Sequence, residues 1–427
     1  MFFRALLFFL MMFPLWTCGG DSGDARDPVA AIEPLPSPAA PGSGEPHLFG
    51  TGPEAWLSWI EPAGEAEGES EGEAAHALRF AVWDEAGWSE PRTVAQGGNW
   101  FVNWADFPSL VRLPDGGLAA HWLARIGPET YAYEVRIATS EDAGATWSEP
   151  IVPHRDGTPT EHGFVSLFPA PGGAGLGAVW LDGRNFAAAG EPETGEGASH
   201  DAGGAEMTLR YAVIGPDGSL ADETLLDGRA CECCQTGAAV TARGPVVVYR
   251  DRSADEVRDI AVIRLVDGRW TVPRTVHDDG WEIAACPVNG PAIAADRERV
   301  AVAWFTAAGD TARVLLAFSD DAGATFGPPA RIDEGAPAGR VDVALLSDGS
   351  ALATWIERAG GEAAVRVRRV GAHGTPGPAV RVAATTEDRA SGFPQMALAG
   401  ERVLFAWTEP GEPSRVRVAA ASLESLR

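Results

Sequence analysis

Short apolar runs of four or five residues follow one another along most of the chain, separated by Gly, Pro, Asp and Ser. One stretch shows the unit clearly: Gly290-Pro-Ala-Ile-Ala, Val300-Ala-Val-Ala-Trp304, Val314-Leu-Leu-Ala-Phe318 and Ala330-Arg-Ile332. Runs of this length bounded by turn residues predict strands, and no segment sustains the 3.6-residue apolar period of a helix. Each unit reaches an aromatic residue before a polar turn: Trp59, Trp122, Trp180, Tyr249, Trp304, Trp355 and Trp407. The anchors recur every 51 to 69 residues, which marks repetition of one structural unit.

Four strands in about 50 residues is the size of a propeller blade. The sequence therefore predicts an all-β, four-stranded-blade propeller with seven units, beginning near residues 47, 101, 162, 232, 285, 340 and 391. Six blades remain if the first or last unit lies outside the ring. The seventh unit has room for three strands only, so Val29 to Ile32 is the expected source of a closing strand that removes the open edge.

The ends divide the chain further. Ala5 to Trp16 is an apolar run of 12 residues behind Arg4, too short to cross a bilayer and suited to a signal peptide. Leu15-Trp16-Thr17-Cys18 resembles a bacterial lipobox, with Cys18 as the acylated residue. Residues 1–17 read as a signal peptide, 18–46, rich in Gly, Pro and Asp, as a flexible tether, and 47–427 as one propeller domain. The expected product is an exported monomer of the cell envelope, held to the membrane by its lipid alone.

The formal charge of -27 excludes nucleic acid as a partner, since phosphate binding requires a basic surface. The dense acidic stretch at 65–73 and the Gly- and Glu-rich stretch at 186–205 read as long loops within units 1 and 3; the second is long enough to act as a lid.

Two segments, Ser140-Glu-Asp142-Ala-Gly144-Ala-Thr146-Trp147 and Ser319-Asp-Asp321-Ala-Gly323-Ala-Thr325-Phe326, resemble the Asp box of the sialidase-like propellers. The pattern is a hairpin staple: Ser and Asp side chains bond turn amides, Gly takes the left-handed conformation and the aromatic packs back. In that family the boxes lie opposite the active face, and catalysis uses an Arg triad, a Tyr nucleophile with a Glu, and an Asp acid/base. The family's first-blade Arg-Ile-Pro has no counterpart here. Its nearest segments are Ala105-Asp106-Phe107-Pro108 and Gly392-Phe393-Pro394, and the last units hold no Tyr.

On the expected channel face, Glu61, Asp182, Asp251, Glu357 and Glu409 each stand two residues after an anchor. Blade entrances carry Asp106, His162, Asn289, Arg340, Asp342 and Gln395. From these, Asp106, Asp182, Asp251 and Glu357 are the candidate acid and base groups, and Arg184, Arg250 and Arg340 the candidate carboxylate clamp.

Without Cys18, four cysteines remain: Cys231, Cys233, Cys234 and Cys286. They open units 4 and 5 and are expected to meet. Disulfides, a soft-metal site and a redox-active thiol are the three readings, with no metal or cofactor committed. Cys-x-Cys-Cys reads as lacking the two-residue spacing of zinc knuckles. Three functions follow: a propeller binding a glycan or other envelope component, a glycosidase with altered residues, or a thiol- or metal-dependent protein.

Overall fold

A computed structural model describes residues 32–65, 74–173, 175–188, 205–221 and 223–427. Residues 1–17, read as a signal peptide, Cys18, most of the acidic stretch and nearly all of the stretch at 186–205 lie outside the described residues.

The chain forms seven antiparallel sheets in sequence order, arranged as a seven-bladed β-propeller. Their innermost strands are Gly44–Thr51, Ser109–Arg112, His162–Pro169, Gly237–Thr241, Ala292–Asp296, Pro337–Leu345 and Gln395–Ala399. Blade 2 has three full strands, with Ile151 bridged to Ile137 in place of a fourth. Among the described residues, helical turns are short 3-10 segments, the longest being Arg184–Ala188.

The core is divided among seven apolar clusters, each between two neighbouring blades. Strand alternation produces this division. In Ala351–Ala359, Ala351, Ala353 and Trp355 face blade 5 while Leu352 faces blade 7. Every aromatic anchor packs toward the preceding blade, so the repeat seen in the sequence records one pocket used seven times.

The ring closes on Glu33–Leu35, which pairs with Arg415–Ser422 as the outer strand of blade 7. An N-terminal segment closes the ring as expected, but its strand lies at 33–35; of the expected Val29–Ile32 only Ile32 is among the described residues, and residues 32–46, read as tether, pack in the ring. Pro34 has no amide hydrogen and is tolerated because this strand is an edge. Ile32 packs into the cluster between blades 6 and 7, and Leu35 into the one between blades 7 and 1.

The two Ser-x-Asp turns bond alike. Ser140 Oγ accepts from Gly144 N–H at 2.8 Å and Asp142 accepts from Thr146 N–H at 2.8 Å and Thr146 Oγ at 2.7 Å. Ser319, Asp321, Gly323 and Thr325 repeat the set. Gly144 (φ 83°) lies so close to Phe80 that a Cβ would sit 2.4 Å from the ring, and Trp147 meets the same ring edge-on. Phe326 packs against the cluster between blades 4 and 5. Both turns follow a third strand, on the face opposite the loops that join second to third strands.

Candidate functional site

Much of the polar regularity on the opposite face holds the blades. Trp59, Trp180 and Trp355 donate their indole N–H to Glu61, Asp182 and Glu357 at 2.7, 2.8 and 2.6 Å. Residues i and i+2 of a strand share a face, so a carboxylate two positions past the anchor lands beside its indole nitrogen. Trp304 reaches Asp279 at 2.7 Å and Tyr249 reaches Asp227 in the same manner.

A second set clasps successive blades. Asp106 Oδ1 accepts from Phe164 N–H at 2.7 Å, Gln235 Oε1 from Gly290 at 3.0 Å, Asn289 Oδ1 from Arg340 at 2.7 Å and Asp342 Oδ2 from Met396 at 2.7 Å.

The candidate acids and the clamp are thereby placed. Asp182 and Glu357 are buried indole acceptors, with Glu357 also accepting from the amides of Glu334 and Ala336. Asp106 is an inter-blade clasp, while Asp251 accepts from Arg252 N–H and is raised to about 6 by burial and by Asp227. The three arginines serve three separate partner sets. Arg250 donates to the carbonyls of Asn289, Arg258 and Phe305 and stacks on Trp281. Arg340 donates to the carbonyls of Glu387, Asp388 and Gly392 and stacks on Trp104. Arg184 grips Asp182 with two bonds of 2.7 Å and reaches Asp156 and Glu223.

What remains is irregular and gathers at blades 2 to 4. Tyr133 donates to Glu161 Oε1 at 2.8 Å and lies 3.1 Å from Asp106 Oδ2. All three groups are buried. Burial pushes Glu161 up to about 8, reinforced by Asp106, Glu232 and Cys231 and opposed by the Tyr133 bond; burial likewise takes Asp106 to about 7. Sequence reasoning sought a tyrosine in the last units and missed this group, whose members come from three separate segments.

These raised acids set a pH dependence. Their stabilisation is complete below the unfolded carboxylate range and is lost as pH rises through 7 to 8. His47, His121 and His154, all lowered by burial, are protonated only in the unfolded chain, so each adds about 0.4 kcal/mol of stability as pH rises from 6.5 to 8, equally in the native chain and in a Glu161 variant. Glu161 alone is expected to remove about 1–2 kcal/mol between pH 6.5 and 8. Thermal unfolding of Glu161→Gln beside the native chain checks this. The native chain should lose more stability across the window, and parallel curves would rule out a neutral buried Glu161.

Next to this group, His154 and His162 stack at 3.8 Å, and each lies 3.2 Å from Asp156 Oδ2. Burial lowers His162, but the Asp156 bond and Asp182 outweigh it and leave it raised. His154 borders a cleft of about 420 Å³ formed by the loop after the second strand of blade 2 and the connection to blade 3. Ile126, Glu134, Val152, Arg155, Thr158 and Pro159 complete its main walls.

The cysteines do meet. Cys233 and Cys286 form a disulfide, while Cys231 and Cys234 are buried free thiols hydrogen-bonded to each other. The cross-link to Cys286 is thus as expected, and the second one, within Cys-Glu-Cys-Cys, does not form. The free pair itself has two intervening residues, the spacing the sequence reading passed over by taking the three cysteines as one motif. Burial raises Cys231; at Cys234 the Cys231 bond, Arg250, the Asn289 amide and Arg258 outweigh burial and lower it.

No family model and no curated protein matches the chain. Among solved structures, a mutant of the NanB sialidase from Streptococcus pneumoniae is 9% identical over 93% of this chain and 95% of its own, with a TM-score of 0.46. An ulvan lyase of polysaccharide lyase family PL25 is 12% identical over 78% and 80%, TM-score 0.47. The Trypanosoma rangeli sialidase is 13% identical over 81% of this chain and 57% of its own, TM-score 0.46. The seven-bladed architecture itself rests on the strand pairing described above.

Proposed function

We propose that the chain is an exported, lipid-anchored propeller that binds a carbohydrate in the cleft between blades 2 and 3. The observation that carries this is the make-up of that cleft. Sugars present hydroxyls and an apolar ring face together, and a site for them combines hydrogen-bonding groups with exposed apolar or aromatic surface. Here Glu134, His154, Arg155 and Thr158 supply the first, and Ile126, Val152 and Pro159 the second. Tyr131, on the loop beginning at Ile126, is 46% exposed, and Ile126 is 38% exposed. The anchor rests on the apolar run Ala5 to Trp16 and Cys18.

Hydrolysis is the less favoured reading. Tyr133, Glu161 and Asp106 are enclosed, and Asp182 and Glu357 have their oxygens occupied by indole, amide or guanidinium donors.

A panel of sialosides and uronate-containing oligosaccharides tests the proposal by direct binding. A subset should be retained, and Tyr131→Ala and Arg155→Ala should each weaken it about tenfold, the equivalent of ~1.4 kcal/mol. No retention of any glycan at millimolar concentration, or undiminished binding by both variants, would overturn it.

A further inference from the structure

Three sulfurs cluster where blade 4 begins, and a fourth is tied to one of them. Those of Cys231, Cys233 and Cys234 all lie within 4.8 Å of one another, and Cys286 is bonded to Cys233 from 53 residues away. A staple between blades 4 and 5 requires two cysteines. Two more stay unoxidised beside it, 0% and 1% exposed, in an enclosed polar pocket.

Donors face both buried sulfurs, although Arg258 is shared with the buried Glu232 carboxylate at 2.8 Å. Arg258 Nη1 stands 3.5 Å from Cys231 Sγ, and the Asn289 amide donates to Cys234. The turn from Cys286 to Asn289 is held with Val288 at φ 47°, a left-handed conformation that a β-branched residue adopts only when its surroundings impose it. That strain belongs to the turn that aims an N–H at sulfur and delivers the fourth cysteine.

We propose that reduction of the Cys233–Cys286 disulfide converts this cluster into a four-sulfur site for one thiophilic d10 cation, zinc or cuprous copper. Cys286 is exposed and Cys233 half-buried, so a dithiol reductant has access. One of its thiolates attacks Cys286 Sγ, and Cys233 leaves as thiolate and takes a proton. The reductant's second thiol then displaces Cys286 and the reductant departs as a disulfide. The chain has gained two electrons and two protons. Metal binding expels the protons of the four thiols to solvent. Sulfurs around tetrahedral zinc, with bonds of ~2.3 Å, stand about 3.8 Å apart, so Cys231, Cys233 and Cys234 are already near ligand spacing, while the Cys286 sulfur must swing away from Cys233 once their bond is broken. Soft thiolates select these metals over calcium or magnesium.

The test titrates the full chain, reduced under nitrogen and separately oxidised, with Zn2+ against a chromophoric zinc chelator and with Cu+ against a cuprous chelator. One equivalent of either metal in the reduced chain, at least a hundredfold less in the oxidised chain, is the expected result. Cys231→Ser/Cys234→Ser should lose binding at unchanged circular dichroism, whereas His154→Ala/His162→Ala should keep it. Should the first variant fail to fold, Co2+ added to the reduced native chain provides the readout, since sulfur ligation gives intense charge-transfer absorption. A fully reduced chain that takes up neither metal and gives no such absorption overturns the proposal, as does binding that survives loss of both buried thiols.

Discussion

A chain beginning at Ser37 is expected to be less stable than one beginning at Ile32 by about 3–5 kcal/mol and to associate as its concentration rises. The five missing residues make the last outer strand of the ring. Without them Arg415–Ser422 exposes an unpaired ladder of amides and carbonyls, the kind of edge that recruits other chains. Leu35 and Ile32 leave two inter-blade clusters at once, on opposite sides of blade 7. Each partly buried side chain contributes roughly 1–2 kcal/mol and each lost ladder bond about 1 kcal/mol. The remaining attachment holds blade 1 in place: Gly42 N–H to Ser414 O at 2.8 Å and Val416 N–H to Ser43 Oγ at 3.0 Å. The loss is therefore local to blade 7 and should leave the other six sheets formed. Thermal unfolding and light scattering on the two chains measure it, and equal melting with a monomer in both would show that closure does not depend on this strand.

The fold was legible because the same contact is made seven times. An aromatic at the end of each second strand fills one kind of pocket against the preceding blade, so its spacing in the sequence is the spacing of the blades. The closing strand was less legible. Glu33-Pro-Leu carries one apolar side chain and a residue that breaks central strands, and only its edge position makes that composition acceptable.

The site was legible in part, and for a related reason. Positions that recur from blade to blade, such as the carboxylates after Trp59, Trp180 and Trp355, recur because blades 1, 3 and 6 have the same indole to satisfy. Repetition on this scaffold reports architecture, whereas chemistry peculiar to the protein lies where the repeat is broken. Cys231 to Cys234 and Cys286 break it visibly. Tyr133 and Glu161 do not, because their meeting depends on how blade 2 abuts blade 3. The arginines were misread because Arg250 and Arg340 donate mostly to backbone carbonyls, and an acceptor that every residue carries leaves no mark in a sequence.

Asp182 separates the architectural role from a catalytic one most sharply. It is fully buried and accepts from Trp180 Nε1 at 2.8 Å, from the Arg184 amide at 3.1 Å and from two guanidinium nitrogens of Arg184 at 2.7 Å. His162 Nε2 lies 3.6 Å away. Asp182→Ala leaves the buried Trp180 indole without its acceptor and takes from Arg184 its two-bond partner, leaving it Asp156 and Glu223, and breaking a buried pair from one side costs about 3–5 kcal/mol. That corresponds to a fall in melting temperature of roughly 3–6 °C for a chain of this size. Asp182→Asn keeps an acceptor for the indole but loses the two-bond grip on Arg184, so its loss should be smaller. Arg184→Ala in the same background decides the matter. If Asp182 is there to neutralise Arg184 and cap Trp180, the double variant Asp182→Ala/Arg184→Ala loses less than the sum of the two single losses, because their shared grip is lost only once. Calorimetry on the four chains gives the coupling directly, and strictly additive losses would mean that the two residues stabilise the fold independently.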